Sequence, residues 1–226
     1  MTDKNSFLKQ MNEWDIEISE NHLQLLEAYV DELLEKNKNF NLISNNDAGI
    51  IWTRHIADSL APLKKIRTLF PSLHDKIIAD GGSGAGLPGI PLKILLEDAE
   101  FKLYEPNLKR RNFLLCLFSK LKLEKIEVSP ERVGENPLIQ KGKIDILIER
   151  AMGQLENILS QCLNMVKEDG GLFCAWHANA EILKSAKIMD IMKKRNTVIY
   201  DIHNYKLAGE EKERFIFILR RGQCTY

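Results

Sequence analysis

The stretch Asp80-Gly81-Gly82-Ser83-Gly84-Ala85-Gly86-Leu87-Pro88-Gly89-Ile90-Pro91-Leu92 follows directly on the apolar run Lys76-Ile77-Ile78-Ala79, and its reading decides how the chain is parsed. An apolar run ending in an acid, then glycines, then a helical pattern predicts strand, turn and helix. Glycine enters left-handed backbone regions without steric cost, and the first turn of a helix offers unpaired N–H donors, so such a turn suits a closely approaching ligand. The dinucleotide spacing G-x-G-x-x-G, begun at Gly82, requires glycine at 87, where the chain has Leu87; begun at Gly81 it fails at Ser83. The same residues satisfy D-x-G-x-G-x-G from Asp80 without a mismatch.

Working outward, strands are expected at residues 76–80, 101–104, 125–128, 144–149 and 171–176, with helices at about 89–97, 108–120, 154–167 and 179–193. That alternation reads as α/β with a largely parallel sheet. The tail changes character: TVIYDIHNY and ERFIFILRR, joined by a short polar connection, predict a terminal antiparallel hairpin. Upstream, Leu23, Leu26, Val30 and Leu33 recur at helical spacing, which predicts an amphipathic helix over 19–36 capped by Ser19. A loop is expected from Lys36 to Asn46 and a second helix from Gly49 to Leu60. The expected organisation is a helical prefix, residues 1–70, packed on a core, residues 71–226.

The chain has 226 residues, 44% hydrophobic and 28% charged, which excludes fibrous and disordered classes. With 32 basic and 32 acidic side chains there is no global attraction to a polyanion. The distribution is uneven, however: residues 1–60 hold 5 basic and 11 acidic groups, whereas 101–132 hold 8 and 4. Cys116, Cys162, Cys174 and Cys224 form no CxxC pair, and the five histidines show no metal-ligand spacing, so neither a zinc site nor a disulfide framework is expected. The absence of a signal-peptide pattern and of a membrane-length apolar run gives the expectation of a cytoplasmic chain. A P-loop is missing as well.

The D-x-G-x-G-x-G frame resembles the first motif of class I methyltransferases, which receive the amino acid end of S-adenosylmethionine at this turn. By that resemblance Asp80 interacts with the methionyl ammonium. Glu105 follows the second strand by one position, where a carboxylate can accept hydrogen bonds from both hydroxyls of a cofactor ribose. Glu105 by itself does not choose between NAD and S-adenosylmethionine.

Over nearly its whole length the sequence resembles the bacterial family of 16S ribosomal RNA guanine-N7 methyltransferases, formerly called glucose-inhibited division protein B. The resemblance is carried by NFNLIS at 39–44, WTRHIADSL at 52–60, DGGSGAGLPGIPL at 80–92, LKRRNFL at 108–114, ERV at 131–133 and ERA at 149–151. It implies a class I S-adenosylmethionine-dependent methyltransferase fold, with Gly82, Gly84, Gly86 and Leu87 around the cofactor and Glu105 at its ribose. Val133 and Gly134 match the region bordering the adenine, Arg150 matches an arginine at the mouth of the cofactor and substrate cleft, and Arg132 matches one near the nucleic-acid approach. Asn41, His55, Asp58 and Ser59 match prefix motifs that fold against the active face.

Three positions depart from the family pattern: Gly81 stands for an aliphatic residue, Gly134 for an acid, and His177 for the basic residue near the fifth strand. The Gly134 departure removes a cofactor hydrogen bond, and His177 carries charge only near or below its titration range. Guanine N7 presents an in-plane lone pair and no proton, so its methylation needs no general base. Consistently, the chain lacks a [DN]PP[YF] motif and reads Glu-Arg-Ala-Met from position 149. Arg150 and Arg132 are the expected catalytic positioning groups, since a guanidinium fork suits phosphate and planar acceptors. The implied partner is small-subunit ribosomal RNA in a ribosomal particle or assembly intermediate, met by a monomer without membrane involvement. A nonenzymatic ribosome-assembly or RNA-binding protein and a small-molecule methyltransferase are the alternatives.

Overall fold

The computed structural model describes residues 2–136 and 141–222; Cys224 lies outside the described residues, as does the side chain of Asn45. Seven described strands form one sheet: β1 (Ile77–Gly81), β2 (Glu100–Tyr104), β3 (Ile126–Ser129), β4 (Ile146–Arg150), β5 (Leu172–His177), β6 (Thr197–Tyr205) and β7 (Arg214–Arg221). Their spatial order is β3-β2-β1-β4-β5-β7-β6. The first five pair in parallel, while β7 runs antiparallel to both β5 and β6. The order reverses between β1 and β4, where Gly81 stands in register with Glu149. A ligand crevice is expected beyond the carboxyl ends of strands at such a switch point.

Eight α-helices cover the sheet among the described residues: α1 (Asp3–Glu13), α2 (Glu20–Phe40), α3 (Ala57–Leu60), α4 (Leu63–Leu69), α5 (Gly89–Leu95), α6 (Leu108–Leu121), α7 (Leu155–Cys162) and α8 (Ala186–Lys194). Alternation along the strands sorts side chains to two faces. Ile78, Phe101, Leu103, Ile146 and Ile148 share one apolar cluster with Phe7, Leu26 and Leu33 of the prefix. Ala79, Leu147, Phe173 and Phe217 pack on the opposite face with Leu159 of α7 and Ile188 of α8. Hydrogen bonds tie the prefix down too. Asp3 accepts from the backbone N–H of Trp52 at 2.8 Å, and Gln10 Nε2 donates to the Lys206 carbonyl at 2.9 Å.

The expected loop from Lys36 to Asn46 is corrected at its start. The α2 helix continues to Phe40 and ends on Asn41 at φ 48°, a left-handed cap that asparagine tolerates. Its last turn carries lysines and asparagines on a solvated side, while Asn37 is buried, with its Oδ1 accepting from the Ile43 N–H at 2.8 Å. The helix expected over 49–60 is a composite of 3-10 (Asn45–Ile50), π (Trp52–Ile56) and α (α3) turns. Residues 163–165, expected inside a helix, form a 3-10 turn, and the 179–193 helix is split into a 3-10 turn (Ala180–Lys184) and α8. Helices α1 and α4 were not expected from the sequence. Among the described residues no helix is long and apolar enough to cross a membrane.

Candidate active site

The glycine turn closes on itself and on the end of β2. Gly82, Gly84 and Gly86 take φ of 66°, 56° and 90°, the left-handed values that the motif requires of them. A side chain at Gly86 would have its Cβ 2.5 Å from Ile90 Cγ1, so helix α5 could not pack where it does. Leu87 is buried in the same turn. The Gly84 N–H donates to Glu105 Oε2 at 2.8 Å, and the Asn107 N–H donates to Glu105 Oε1 at 2.7 Å. Glu105 is thus 3% exposed and held by two backbone donors, which points its remaining lone pairs in fixed directions. From helix α2, the fully buried Tyr29 donates its hydroxyl to the Ala85 carbonyl at 3.0 Å and so fixes the tip of the turn.

Asp80, the next-to-last residue of β1, is fully buried. Its Oδ2 accepts from the Gly89 N–H at 3.0 Å, whereas its Oδ1 is buried with no hydrogen-bond partner among the described residues. Burial pushes this carboxyl up to about 7, against the lowering effect of Gly89. Glu149, on the opposite sheet face, is also buried and pushed up to about 7 by desolvation, with the charge of Asp80 adding to the shift. Its Oε2 accepts from the Met152 N–H at 3.4 Å. An orphaned buried carboxylate oxygen is costly unless a cation arrives to use it. The orphan Asp80 oxygen, the fixed Glu105 and the glycine turn fit the ammonium and ribose diol of S-adenosylmethionine.

Val133 is buried beside this turn: a Cβ on Gly81 would lie 2.7 Å from Met152 Sδ and 3.3 Å from Val133 Cγ1. The Gly81 departure therefore coincides with a methionine thioether in the space of the aliphatic side chain. Gly134 has a separate reason for lacking a side chain. Its φ is 77°, and a Cβ there would stand 2.7 Å from the Gln161 carbonyl oxygen of α7.

Beside the glycine turn lies a cleft of about 500 Å³ lined by Arg54, His55, Asp58, Arg150, Lys212 and Arg214, with Trp176 and His177 at the end of β5. Arg150 extends from the end of β4, and its Nη1 donates to Asp58 Oδ2 at 2.8 Å. Asp58 also accepts at Oδ1 from the Tyr205 hydroxyl at 2.6 Å and from Arg214 Nη1 at 3.4 Å. Arg214 is held from the other side by Glu210 at 2.9 Å, and Glu210 in turn pairs with Arg54 at 2.8 Å. His55 pairs with Asp47 at 3.2 Å rather than with Asp58; burial and the Arg150 charge bring its pKa down to about 4, so it is neutral at pH 7. Ser59 is buried and donates to the His55 carbonyl at 2.7 Å.

The structure thus brings Asp80, Gly82, Gly84, Gly86, Leu87 and Glu105 into one cradle, sets Val133 against Gly81, and places Arg150 with His55 and Asp58 in the adjoining cleft. Arg132 is not brought there: it is exposed on the loop after β3, its backbone N–H donating to Glu135 Oε2 at 3.0 Å. Asn41 serves as the α2 cap, with an exposed side chain. Sequence reasoning missed Tyr29, Tyr205, Glu210, Lys212 and Arg214. No local spacing marks them, since each reaches the site through a tertiary contact. Among the described residues no cluster of His, Cys, Asp and Glu could hold a metal ion.

The family described as rRNA small subunit methyltransferase G matches residues 22–207. A ribosomal RNA small subunit methyltransferase G from Desulfitobacterium hafniense (strain Y51) is 31% identical over 217 residues, covering 93% of this chain and 86% of the relative. One from Staphylococcus aureus (strain JH9) is 30% identical over 223 residues, covering 96% of this chain and 89% of the relative. Among solved structures, a precorrin-6y C5,15-methyltransferase from Geobacter metallireducens GS-15 superposes with a TM-score of 0.54 at 14% identity, covering 81% of this chain and 92% of that one. An S-adenosylmethionine-dependent O-methyltransferase from Thermotoga maritima gives 0.52 at 13% identity, covering 86% and 72%. These structural likenesses bear on the fold, which is the class I methyltransferase fold.

Proposed function

Since the chain belongs to the rRNA small subunit methyltransferase G family, we propose that it transfers the methyl group of S-adenosylmethionine to N7 of a guanine in small-subunit ribosomal RNA. The observation that carries this reading is the adjacency of the two half-sites. Glu149 is in register with Gly81 at the switch point, and the next residue, Arg150, opens the arginine cleft.

S-adenosylmethionine, when bound, supplies an electrophilic methyl carbon on a sulfonium sulfur. The residues of this chain bind and orient. Asp80 Oδ1 receives the ammonium, and Glu105, already aimed by the Gly84 and Asn107 N–H groups, receives the ribose hydroxyls. Arg150 keeps the guanine or its phosphate in line, so that holding the reactants together supplies much of the rate. No residue has to take a proton, because N7 carries none. Arg132 lies exposed on the loop after β3, outside the cradle and the cleft, where its guanidinium can meet RNA phosphate.

Lys212 and Arg214 line the cleft together with His177, which supports positive charge being supplied there without the lysine the family commonly carries. The basic runs 109–111 and 193–195 add attraction to a structured RNA particle. A cleft complete within one chain supports a monomer.

The test is transfer of labelled methyl to small-subunit particles, protein-free 16S RNA and random RNA, with mass mapping of the product. Incorporation at a guanine N7, strongest on the particle or an assembly intermediate, is expected. Incorporation only into a small metabolite, or none into any RNA, refutes the assignment.

A further inference from the structure

Two arginines hang on one carboxylate in the cleft. Asp58 is 2% exposed, yet it is contacted from four separate strands: Arg150 of β4 at 2.8 Å, Tyr205 of β6 at 2.6 Å and Arg214 of β7 at 3.4 Å, with Trp176 Nε1 of β5 donating to its backbone carbonyl at 2.9 Å. Taking such charges out of water carries a desolvation cost that mutual attraction often fails to recover, so a buried ion pair is weak evidence of a stabilising role. Apolar side chains in the same volume would serve folding at least as well.

What the carboxylate supplies instead is direction. The Tyr205 hydroxyl and the Trp176 indole fix Asp58 at both its side chain and its backbone, so that Oδ2 is presented to a single Arg150 nitrogen. Among the described residues the Arg150 guanidinium makes no further hydrogen bond, and its remaining donors belong to a group that lines the cleft. Arg214 is steadied twice, by Asp58 and by Glu210. A five-donor fork pinned at one corner loses little freedom when it engages phosphate or a base edge.

We propose that Asp58 is a positioning residue for methyl transfer: the prefix helix delivers a carboxylate, locked by Tyr205, that aims Arg150 and Arg214 into the cleft as a paired seat for the target nucleotide. This rests on the RNA reading above. It makes the helical prefix part of the reaction apparatus.

The experiment compares Asp58→Asn and Tyr205→Phe with the unaltered chain in three measurements: single-turnover methylation at saturating RNA and cofactor, S-adenosylhomocysteine affinity, and the nitrogen-15 signals of the Arg150 guanidinium, assigned with Arg150→Lys. Asp58→Asn should slow single turnover about 100-fold, the scale of an ångström-sized misplacement. Tyr205→Phe, which removes one hydrogen bond and keeps the ring, should slow it about tenfold. Cofactor affinity stays at the unaltered value in both, a split that general loosening of the fold does not produce.

In the spectra, distinct Arg150 Nη signals of a held guanidinium should collapse to an averaged signal in Asp58→Asn. Wild-type turnover in either folded variant overturns the proposal, as do unchanged Arg150 signals. If Asp58→Asn does not fold, Tyr205→Phe decides. An unaltered chain inactive on ribosomal RNA overturns the reaction assigned above, and the spectra then decide the positioning alone: signals released in the variant support it, and signals unchanged overturn it.

Discussion

Replacing Asp80 by Asn should stabilise the ligand-free chain at alkaline pH while removing its grip on the cofactor. The Asp80 pKa rises from 3.8 to about 7 on folding, chiefly through burial. Below pH 3.8 the carboxyl is protonated whether the chain is folded or not, and it contributes no difference. As pH rises from there, the unfolded chain releases a proton that the folded chain retains, so stability falls by about 1.4 kcal/mol per pH unit until the folded pKa is passed. Over the interval from 3.8 to about 7 the accumulated cost is about 4 kcal/mol by pH 8, and only about 1.5 kcal/mol of it is present at pH 5.

Asparagine removes the titration but brings an amide N–H₂ that lacks a partner, at about 1–3 kcal/mol. That penalty is the same at both pH values. The difference in unfolding free energy between variant and wild type should therefore move by about 2.5 kcal/mol in favour of the variant from pH 5 to pH 8. Glu149 titrates in the same window, and because the charge of Asp80 adds to its shift, the substitution also relieves part of the Glu149 penalty, in the same direction; Arg150 and Glu105 act on Asp80 with smaller opposing effects. Urea unfolding at the two pH values measures the shift, and calorimetry with S-adenosylhomocysteine should show affinity reduced at least about tenfold. A variant whose stability difference is the same at pH 5 and pH 8 refutes the buried-carboxylate account. Unchanged cofactor affinity refutes the ammonium contact.

Glu105→Gln keeps the shape but replaces an ionised acceptor shared by two backbone N–H groups; S-adenosylhomocysteine affinity should weaken by about 1.5–3 kcal/mol, read by calorimetry at matched pH and salt. Gly134→Ala forces a Cβ into a left-handed backbone and towards the Gln161 carbonyl, so the urea midpoint should drop by the equivalent of about 1–3 kcal/mol. An unmoved midpoint would place residue 134 outside the packed structure.

The cradle was legible in the sequence because its conformation restricts composition. Positive φ at residues 82, 84 and 86 favours glycine, and a buried acid before them leaves few uses other than a ligand. The parallel strands were legible for a related reason, as apolar runs between helical patterns. The end of α2 was not, because Lys36-Asn37-Lys38-Asn39 has loop composition while its helix is held by the buried apolar side further back. Helix α1 escaped notice although Phe7, Gln10 and Met11 sit at helical spacing, since a single short period carries little weight by itself. The cleft was half legible. Arg150 follows an apolar strand, a visible position, but Tyr205 and Arg214 are ordinary residues of a hairpin until the sheet order folds them onto Asp58.

The contacts of Asp58 also set a timetable for a chain made from its N-terminus. Its partners lie 92, 147 and 156 residues downstream, whereas Tyr29 reaches Ala85 across 56. Contacts of large sequence separation carry the loop-closure entropy that slows folding. Asp58 can meet Arg150 once β4 pairs with β1, but its set of side-chain partners is complete only when the β6–β7 hairpin, which supplies Tyr205 and Arg214, has been synthesised and docked. A chain halted before residue 205 would keep Arg150 but lack Tyr205 and Arg214, leaving Asp58 with one of its three side-chain partners and the nucleotide seat half built.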